Sequence, residues 1–540
     1  MKLVKNTIFL ALLSAFLMWM AWPPVPYSAP LLLVGLVPLL LALQYIRESS
    51  SVKKGKRVFL TAGLTFLVWN TASIYWVYNA ISAVNDPYTA FFVSLIPFGL
   101  GALLMTFAFW LHYRLSLIAG KLLSWVGLLS FYVCLEYLHE TWDLAFPWMT
   151  LGNGLSGMHQ LAQWYEYTGV YGGSVWILLS NILAFEAILA YRKQAALNIK
   201  LRAALIWLIA VIFPAGFSLF RYYSYTEKSV PVNVVTVQPN IDPYEKFGST
   251  SAAQQIAILT RLSDSIGQSN TEYFIWPETA IPSRTNEDGI RRDMNFLRAR
   301  QFLGKYKNAS LVTGIESIKL YGTKATPTAR QYDYSTYVDV FNAAVQIENS
   351  ANVQFYHKSK LVPGVEKMPF PAALSILGPV FEGFGGTVGG YGPQNSPAVF
   401  YSYGGIGVTP VICYESLWGS WIGTAVRNGA QFIAVITNDG WWGNTSGKDQ
   451  HLLYAKLRAI ENRRYVVRSA NTGISCFINQ RGDILQQSKW WTATALKADI
   501  NLNDTKTFYT RNGDLIPVIF SMLAVLLAVF ILVKKALKRG

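Results

Sequence analysis

The chain has 540 residues, 52% of them apolar and only 14% charged, against roughly 25% charged in an ordinary soluble domain. That composition argues against a purely soluble protein, and three cysteines are too few for a disulfide scaffold. The formal charge of +16 invites a nucleic-acid reading, which its distribution along the chain excludes.

Seven apolar stretches fill the first 220 residues, near 6–22, 27–46, 58–81, 88–111, 122–138, 170–191 and 201–220, and an eighth lies at 515–533. Their lengths suit a helix crossing a hydrocarbon core of about 30 Å at about 1.5 Å per residue. Six further spans follow the first, and Trp19, Trp22, Pro23 and Pro24 do not resemble a small-residue cleavage site, so the first is read as an uncleaved span. Basic residues cluster in alternate connections: Lys2 and Lys5, then Arg47 to Arg57, Arg114 and Lys121, Arg192 to Arg202, and Lys534 to Arg539. Loops 23–26, 82–87 and 139–169 carry none. By the positive-inside rule both termini are expected in the cytoplasm, with residues 221–514 on the opposite face. That segment is nearly balanced in charge, so most of the positive excess reports topology, and no nucleic-acid partner is expected.

The segment 221–514 reads as α/β. Strand-like runs are Val232–Val237, Tyr273–Trp276, Ser310–Gly314, Phe341–Ile347, Ile406–Ile412 and Phe432–Thr437, with helical patterns at 250–267, 288–303 and 449–462. The expected division is a membrane domain over 1–220, a catalytic domain over 221–514, and a last span with a basic tail over 515–540. The Gly-rich stretch 383–392 lacks the Lys-Ser/Thr ending of a phosphate-binding loop and is read as a surface loop.

Three segments carry candidate chemistry. Cys413 closes the apolar run Ile406–Ile412 and precedes Tyr414 and Glu415. At a strand-to-helix junction a helix N-terminus lowers a thiol pKa, and backbone N–H groups can face an oxyanion. Glu278 follows Trp276-Pro277 at the end of another strand, and Lys358 follows Phe355-Tyr356-His357. Nucleophile, base and cation at strand ends form the minimum kit for covalent acyl chemistry on a thiol. Taken singly, each has a structural alternative: a buried strand cysteine, a structural Glu, a surface Lys. Cys134 and Cys476 are read as small core hydrophobes, His357 and His451 as structural, and no Cys/His/Asp spacing suggests a metal site. Glu415 is either a supporting carboxylate or a helix N-terminal acid favoured by the dipole.

The three segments resemble, in order and local sequence, the Glu-Lys-Cys motifs of the nitrilase (carbon-nitrogen hydrolase) superfamily, and most closely its membrane-bound branch, the apolipoprotein N-acyltransferases. Trp276-Pro-Glu278-Thr-Ala-Ile-Pro282 is similar to the family's glutamate motif. Tyr356-His-Lys358, with Glu366 eight residues on, is similar to the lysine motif, and Ile412-Cys413-Tyr414-Glu415 to the nucleophile motif. The likeness extends to Val237-Gln-Pro-Asn240, Asn438-Asp-Gly-Trp-Trp-Gly443, Asn471-Thr-Gly473, Phe146-Pro-Trp148 and Gly169-Val-Tyr-Gly172. Gly364-Val365 stands where the family commonly has Phe-Gly, and a family tryptophan is replaced by Phe247 or Tyr244.

The resemblance implies an α-β-β-α sandwich outside the cytoplasm, joined to about eight spans in a bacterial inner membrane. It implies ping-pong transfer of a fatty acyl chain from a phospholipid, through a Cys413 thioester, to the N-terminal amine of a diacylglyceryl-cysteine lipoprotein, with no cofactor or metal. Glu278 would be the base, Lys358 the oxyanion cation, and Glu366 would orient Lys358 or tune Glu278. Cys413 or Tyr414 would lend a backbone N–H. Tyr244 or Phe247, with Trp441 and Trp442, would line the substrate site. Trp148, Trp164, Tyr165 and Tyr167, like Trp441 and Trp442, are either interfacial anchors, groove walls or an ordinary aromatic belt. Two other readings use the same residues. One is a membrane-tethered amidase with water as acceptor. The other is a transporter with a soluble lid, which Glu186 and Glu136, the few acids in or near spans, support poorly.

Overall fold

The structure, a computed structural model, describes residues 6–83, 85–246, 248, 250–371 and 390–537. Phe247 and residues 383–389 of the Gly-rich stretch lie outside the described residues. The chain divides into two compact units, one of residues 1–78, 91–224 and 514–540, the other of 79–90 and 225–513.

The first unit is helical. Its elements are α1 (Thr7–Ala21), α2 (Val37–Glu48), α3 (Lys54–Ile74), α4 (Trp76–Ser82), α5 (Pro87–Ser116), α6 (Lys121–Thr141), α7 (Tyr165–Arg192) and α8 (Leu197–Ser224), followed far along the chain by Leu515–Leu537; the α4 and α5 termini run into the other unit. Among the described residues six helices are long and apolar enough to cross a membrane, counting the 3₁₀ turn Ala29–Leu33 and α2 together as the 20-residue stretch Ala29–Glu48, or seven if α3 and α4, bent by 57°, form one span. The eighth expected span is α1, whose 15 residues fall short of the roughly 20 that a span needs. Apolar side chains such as Ile212, Phe213 and Phe220 on α8 are exposed, as a lipid-facing surface requires. Trp148, Trp164 and Tyr165 instead are buried, and Trp148 packs on Trp76 with ring centroids 4.6 Å apart. They belong to the interior of the unit rather than to an aromatic belt.

The second unit contains β1 (Pro231–Gln238), α9 (Ala252–Ile266), β2 (Thr271–Ile275), β3 (Ile281–Asn286), α10 (Met294–Leu303), β4 (Ser310–Tyr321), β5 (Arg330–Gln331), β6 (Tyr337–Ile347) and β7 (Val353–His357). It continues with β8 (Phe400–Tyr401), β9 (Gly407–Ile412), α11 (Gly419–Arg427), β10 (Phe432–Thr437), α12 (Ser446–Asn462), β11 (Val466–Ala470), β12 (Cys476–Ile478), β13 (Ile484–Gln487), β14 (Thr494–Asn501) and α13 (Phe508–Asn512). The span Leu515–Leu537 is α14.

One sheet runs β14-β1-β2-β4-β6-β5, with β3 added beside β4 and β7 beside β6; the other runs β13-β12-β11-β10-β9-β8. Strands β1, β2 and β4 are mutually parallel, as are β9, β10 and β11, with antiparallel strands flanking each set. Alternation along β10 explains the layering. Phe432, Ala434 and Ile436 pack with Val234, Tyr273, Val312 and Tyr356 of the facing sheet. Ile433 and Val435 pack outward with Ile422 and Ala425 of α11 and Leu452 and Ala455 of α12. On the far side Phe274 and Trp276 pack with Leu259 of α9 and Phe302 of α10. Both faces of each sheet are covered, which is why the central strands read as continuous apolar runs. Sequence caps delimit the helices: Ser251 and Gln254 form a capping box for α9, and Asp293 caps α10.

Ile436 lies wholly buried between the two sheets. Ile436→Ala is therefore expected to destabilise this unit by about 2–5 kcal/mol, read as a lower unfolding midpoint of the purified protein in detergent.

Candidate active site

Three strand ends meet over the inter-sheet core. After β2 the chain continues through Trp276 and Pro277, held to β4 by Trp276 N–H donating to Val312 O (2.9 Å) and Gly314 N–H donating to Pro277 O (3.1 Å). Glu278 follows. Gly314 is required here, because a Cβ on it would lie 2.6 Å from the Glu278 Cα. The next residue, Thr279, has φ +46°. Lys358 is the first residue past β7, its N–H donating to Asn342 O at 2.8 Å. Cys413 is the first residue past β9 and opens the 3₁₀ turn Cys413–Leu417 with φ +51°. A non-glycine residue held in the left-handed region costs of order 1–3 kcal/mol and points to a surrounding that over-determines it.

The side chains form one buried network. The Lys358 Nζ donates to Glu366 Oε1 at 2.8 Å and to Glu278 Oε1 at 3.4 Å. Asn342, on β6, donates its single amide nitrogen to the same two carboxylates, at 2.8 Å to Glu278 and 3.0 Å to Glu366. Glu366 is fixed in turn by Val362 N–H on its Oε2 at 2.8 Å. Burial by itself would lower the Lys358 pKa, but the Glu366 carboxylate, followed by Glu278 and Cys413, outweighs it and holds the ammonium well above the ordinary lysine value. Burial pushes the Cys413 thiol upward; the Glu278 carboxylate adds to the push and Lys358 opposes it. The resting sulfur is thus a thiol at neutral pH, facing a carboxylate and an ammonium.

Glu415 is fully buried and makes four hydrogen bonds. Its Oε1 accepts from Tyr356 O–H (2.6 Å), Ser359 N–H (2.7 Å) and Lys360 N–H (3.1 Å), and its Oε2 from Ile412 N–H (3.0 Å). Burial raises its pKa in spite of these donors. The carboxylate staples the turn after β7, in one sheet, to the end of β9, in the other. Behind the nucleophile, His451 Nε2 lies 2.8 Å from Ser416 Oγ and 3.2 Å from Cys413 O, and its Nδ1 3.0 Å from Asp439 Oδ1. Asp439 is also paired with Arg468, and its carboxyl is held well below the usual range against the opposing effect of burial. Ser416, His451 and Asp439 have the connectivity of a hydrolytic triad, but all are fully enclosed and act as a brace.

Tyr414 is buried against Trp418, with ring centroids 4.9 Å apart. Tyr244, nearly half exposed, meets Trp441 edge-on at 5.1 Å, and Trp442 packs on His451 at 5.2 Å. These rings form a rim beside the Asp439 segment. Lys246, buried two residues after Tyr244, donates to Glu278 O at 2.8 Å and to Thr279 Oγ1 at 2.7 Å. Burial, opposed by Glu278, pushes its pKa down to about 7.

Sequence reasoning singled out Glu278, Lys358, Glu366 and Cys413, and the structure brings these together. It missed Asn342 and Lys246. An amide inside the mostly apolar run Phe341–Ile347, which also holds Gln346, was the available signal for Asn342. His357 pairs with Glu287 and stacks on Phe341, and Cys476 is buried in β12.

The apolipoprotein N-acyltransferase N-terminal domain family matches residues 14–183, and the carbon-nitrogen hydrolase family matches residues 233–509. An apolipoprotein N-acyltransferase of Chlorobaculum tepidum is 30% identical, over 99% of this chain and 98% of that one. One of Geobacter metallireducens is 26% identical, over 94% and 92%. Among solved structures, a variant of the Nesterenkonia AN1 amidase from the nitrilase superfamily aligns with 53% of this chain and 96% of its own at 14% identity and a TM-score of 0.36.

Glu415→Gln turns one acceptor oxygen toward buried N–H donors as an NH₂ group. It is expected to cost about 1–3 kcal/mol and to speed alkylation of Cys413 by iodoacetamide. An unchanged unfolding midpoint together with an unchanged alkylation rate would remove the staple role.

Proposed function

The chain belongs to the apolipoprotein N-acyltransferases, and from that premise we propose that Glu278, Lys358 and Cys413 carry the acyl transfer. It N-acylates apolipoproteins. The observation that carries this reading is the joining, in one chain, of the acyltransferase N-terminal domain match with the carbon-nitrogen hydrolase match; the amidase alternative accounts only for the second.

The donor is a phospholipid ester. As the Cys413 sulfur attacks the ester carbonyl, Glu278 accepts the thiol proton. The tetrahedral oxyanion is stabilised by the Lys358 ammonium and by a backbone N–H at Cys413 or Tyr414. Collapse breaks the carbon–oxygen ester bond, Glu278 returns the proton to the departing lyso-phospholipid oxygen, and an acyl thioester remains on Cys413. The α-amine of a diacylglyceryl-cysteine N-terminus then attacks the thioester. Glu278 takes a proton from that amine and delivers it to the sulfur as the carbon–sulfur bond breaks, so a new amide forms and the free thiol is restored. Glu366 and Asn342 position Lys358 and Glu278. Tyr244 or Phe247, with Trp441 and Trp442, would contact substrate.

Membrane anchoring suits this chemistry, since drawing an acyl chain into water costs about 0.8 kcal/mol per CH₂. The basic-residue pattern supports both termini in the cytoplasm of a bacterial inner membrane and the segment 221–514 outside it. On that topology the bent pair and the short α1 both cross, giving seven spans in 1–220 and an eighth in 515–540.

Incubation of purified protein with acyl-labelled phospholipid and a diacylated lipopeptide tests the reading. Label is expected in a third, amide-linked chain, with a labelled thioester on Cys413 when the peptide is withheld; Cys413→Ser is expected to lose both. Label solely in free fatty acid would mean hydrolysis. Glu278→Gln is expected to lower turnover by about 10²–10⁴-fold. Because the Glu278 charge raises the Cys413 pKa, the same substitution should move the pH midpoint of Cys413 alkylation downward, opposite in sign to its effect on turnover.

A further inference from the structure

The helical unit holds a group of buried polar atoms, beside a small and mostly apolar cavity, that acyl transfer does not use. Asn70 lies on α3, and Tyr132, Glu136 and His139 lie on one face of α6 at spacings of four and three residues. All four are more than nine-tenths buried, with exposures of 0, 1, 7 and 8%. Among the described residues no group partners Asn70 Oδ1, Tyr132 Oη, Glu136 Oε2 or His139 Nε2. Two of these atoms, Asn70 Oδ1 and His139 Nε2, face Gly101 of α5. Tyr132, Glu136, His139, Gly101 and Met105 line a cavity of about 20 Å³. A Cβ built on Gly101 would lie 2.9 Å from Asn70 Oδ1 and 3.8 Å from His139 Nε2.

The hydrogen-bonding sense of the groups follows from their other partners. Both Asn70 amide protons are engaged, at Phe66 O (2.8 Å) and Met105 Sδ (3.5 Å), so its Oδ1 is left as an acceptor. Trp142 Nε1–H can only donate, and it reaches His139 Nδ1 at 3.2 Å. The neutral imidazole therefore carries its proton on Nε2, aimed at the cavity. Glu136 Oε1 takes the Leu151 N–H at 2.6 Å, and its Oε2 is left without a protein partner among the described residues. The Tyr132 hydroxyl can donate or accept. We infer that one ordered water is bound beside Gly101, donating to Asn70 Oδ1 and accepting from His139 Nε2–H, with Glu136 Oε2 and the Tyr132 hydroxyl as its remaining partners.

Size and chemistry both select water. A cavity needs roughly 10–15 Å³ for one water, and such waters make about 2–4 hydrogen bonds. A hard cation takes oxygen ligands and would face the His139 proton, and an acyl chain or headgroup does not fit the volume. The water joins α3 to α6 across Gly101 and backs the carboxylate that receives Leu151 N–H, where the buried 3₁₀ segment Leu151–Ala162 begins. Irregular backbone that is buried needs such polar support.

Hydroxyl-radical footprinting of the whole protein in nanodiscs tests the site, since radicals form at bound water. Tyr132 and Met105 are expected to be oxidised several-fold faster than Tyr165 and Met18, which are also buried and of the same chemistry. Gly101→Ala places a methyl group in the cavity and should bring Tyr132 down to the Tyr165 rate. Labelling of Tyr132 and Met105 no faster than that of Tyr165 and Met18 in the unaltered protein would overturn the proposal without recourse to any variant. A melting temperature that rises in sodium chloride but not in choline chloride of equal ionic strength would replace the water with a cation.

Discussion

A fully buried ammonium must be compensated where it stands, and the catalytic unit is arranged around that demand. Lys358 lies between Glu278 and Glu366, and Asn342 spans the same two carboxylates. These three charged groups sum to minus one. Ionising Cys413 in place would raise the sum to minus two in a desolvated setting, and the raised thiol pKa expresses that penalty. Passing the proton from Cys413 to Glu278 leaves the sum unchanged. The cluster therefore favours transfer of the proton within itself over its release to solvent, so the thiolate forms when an electrophile is there to receive it.

The fold supplies this cluster through strand ends. In parallel sheets all carboxyl ends lie on one edge, and β2 and β9 each end in a turn that hands a side chain to the same place. Close backbone approach at Gly314 and the left-handed residues Thr279 and Cys413 set the aim of each side chain. Those conformations persist because Lys246 holds the carbonyl of Glu278 and His451 meets the carbonyl of Cys413.

Much of this was legible in the chain. Glu278, Lys358 and Cys413 each follow an apolar run and carry family-like neighbours, and β1, β2, β4, β6, β9 and β10 were visible as runs of buried residues. What escaped is what depends on long-range pairing. Asn342 reads as one polar residue in a strand until the fold sets it between two carboxylates. Glu415 read equally as a helix-terminal acid, because its partners Ser359 and Lys360 lie more than fifty residues earlier. The edge pairing of β14 with β1 joins opposite ends of the catalytic unit and has no local signature. Trp148, Trp164 and Tyr165 looked like belt residues because aromatic composition does not tell an inward ring from an outward one.

The Glu415 staple has a mechanical consequence. By binding Ser359 and Lys360 on one side and Ile412 on the other, it makes the turn bearing Lys358 and the turn bearing Cys413 a single rigid piece. Nucleophile and cation cannot separate to admit a bulky guest. Whatever widening the entrance undergoes falls to the rim, where Tyr244 and Trp441 touch only through an edge-to-face contact worth about 1 kcal/mol. The chemistry is housed in a stiff frame, and the compliance is confined to its doorway.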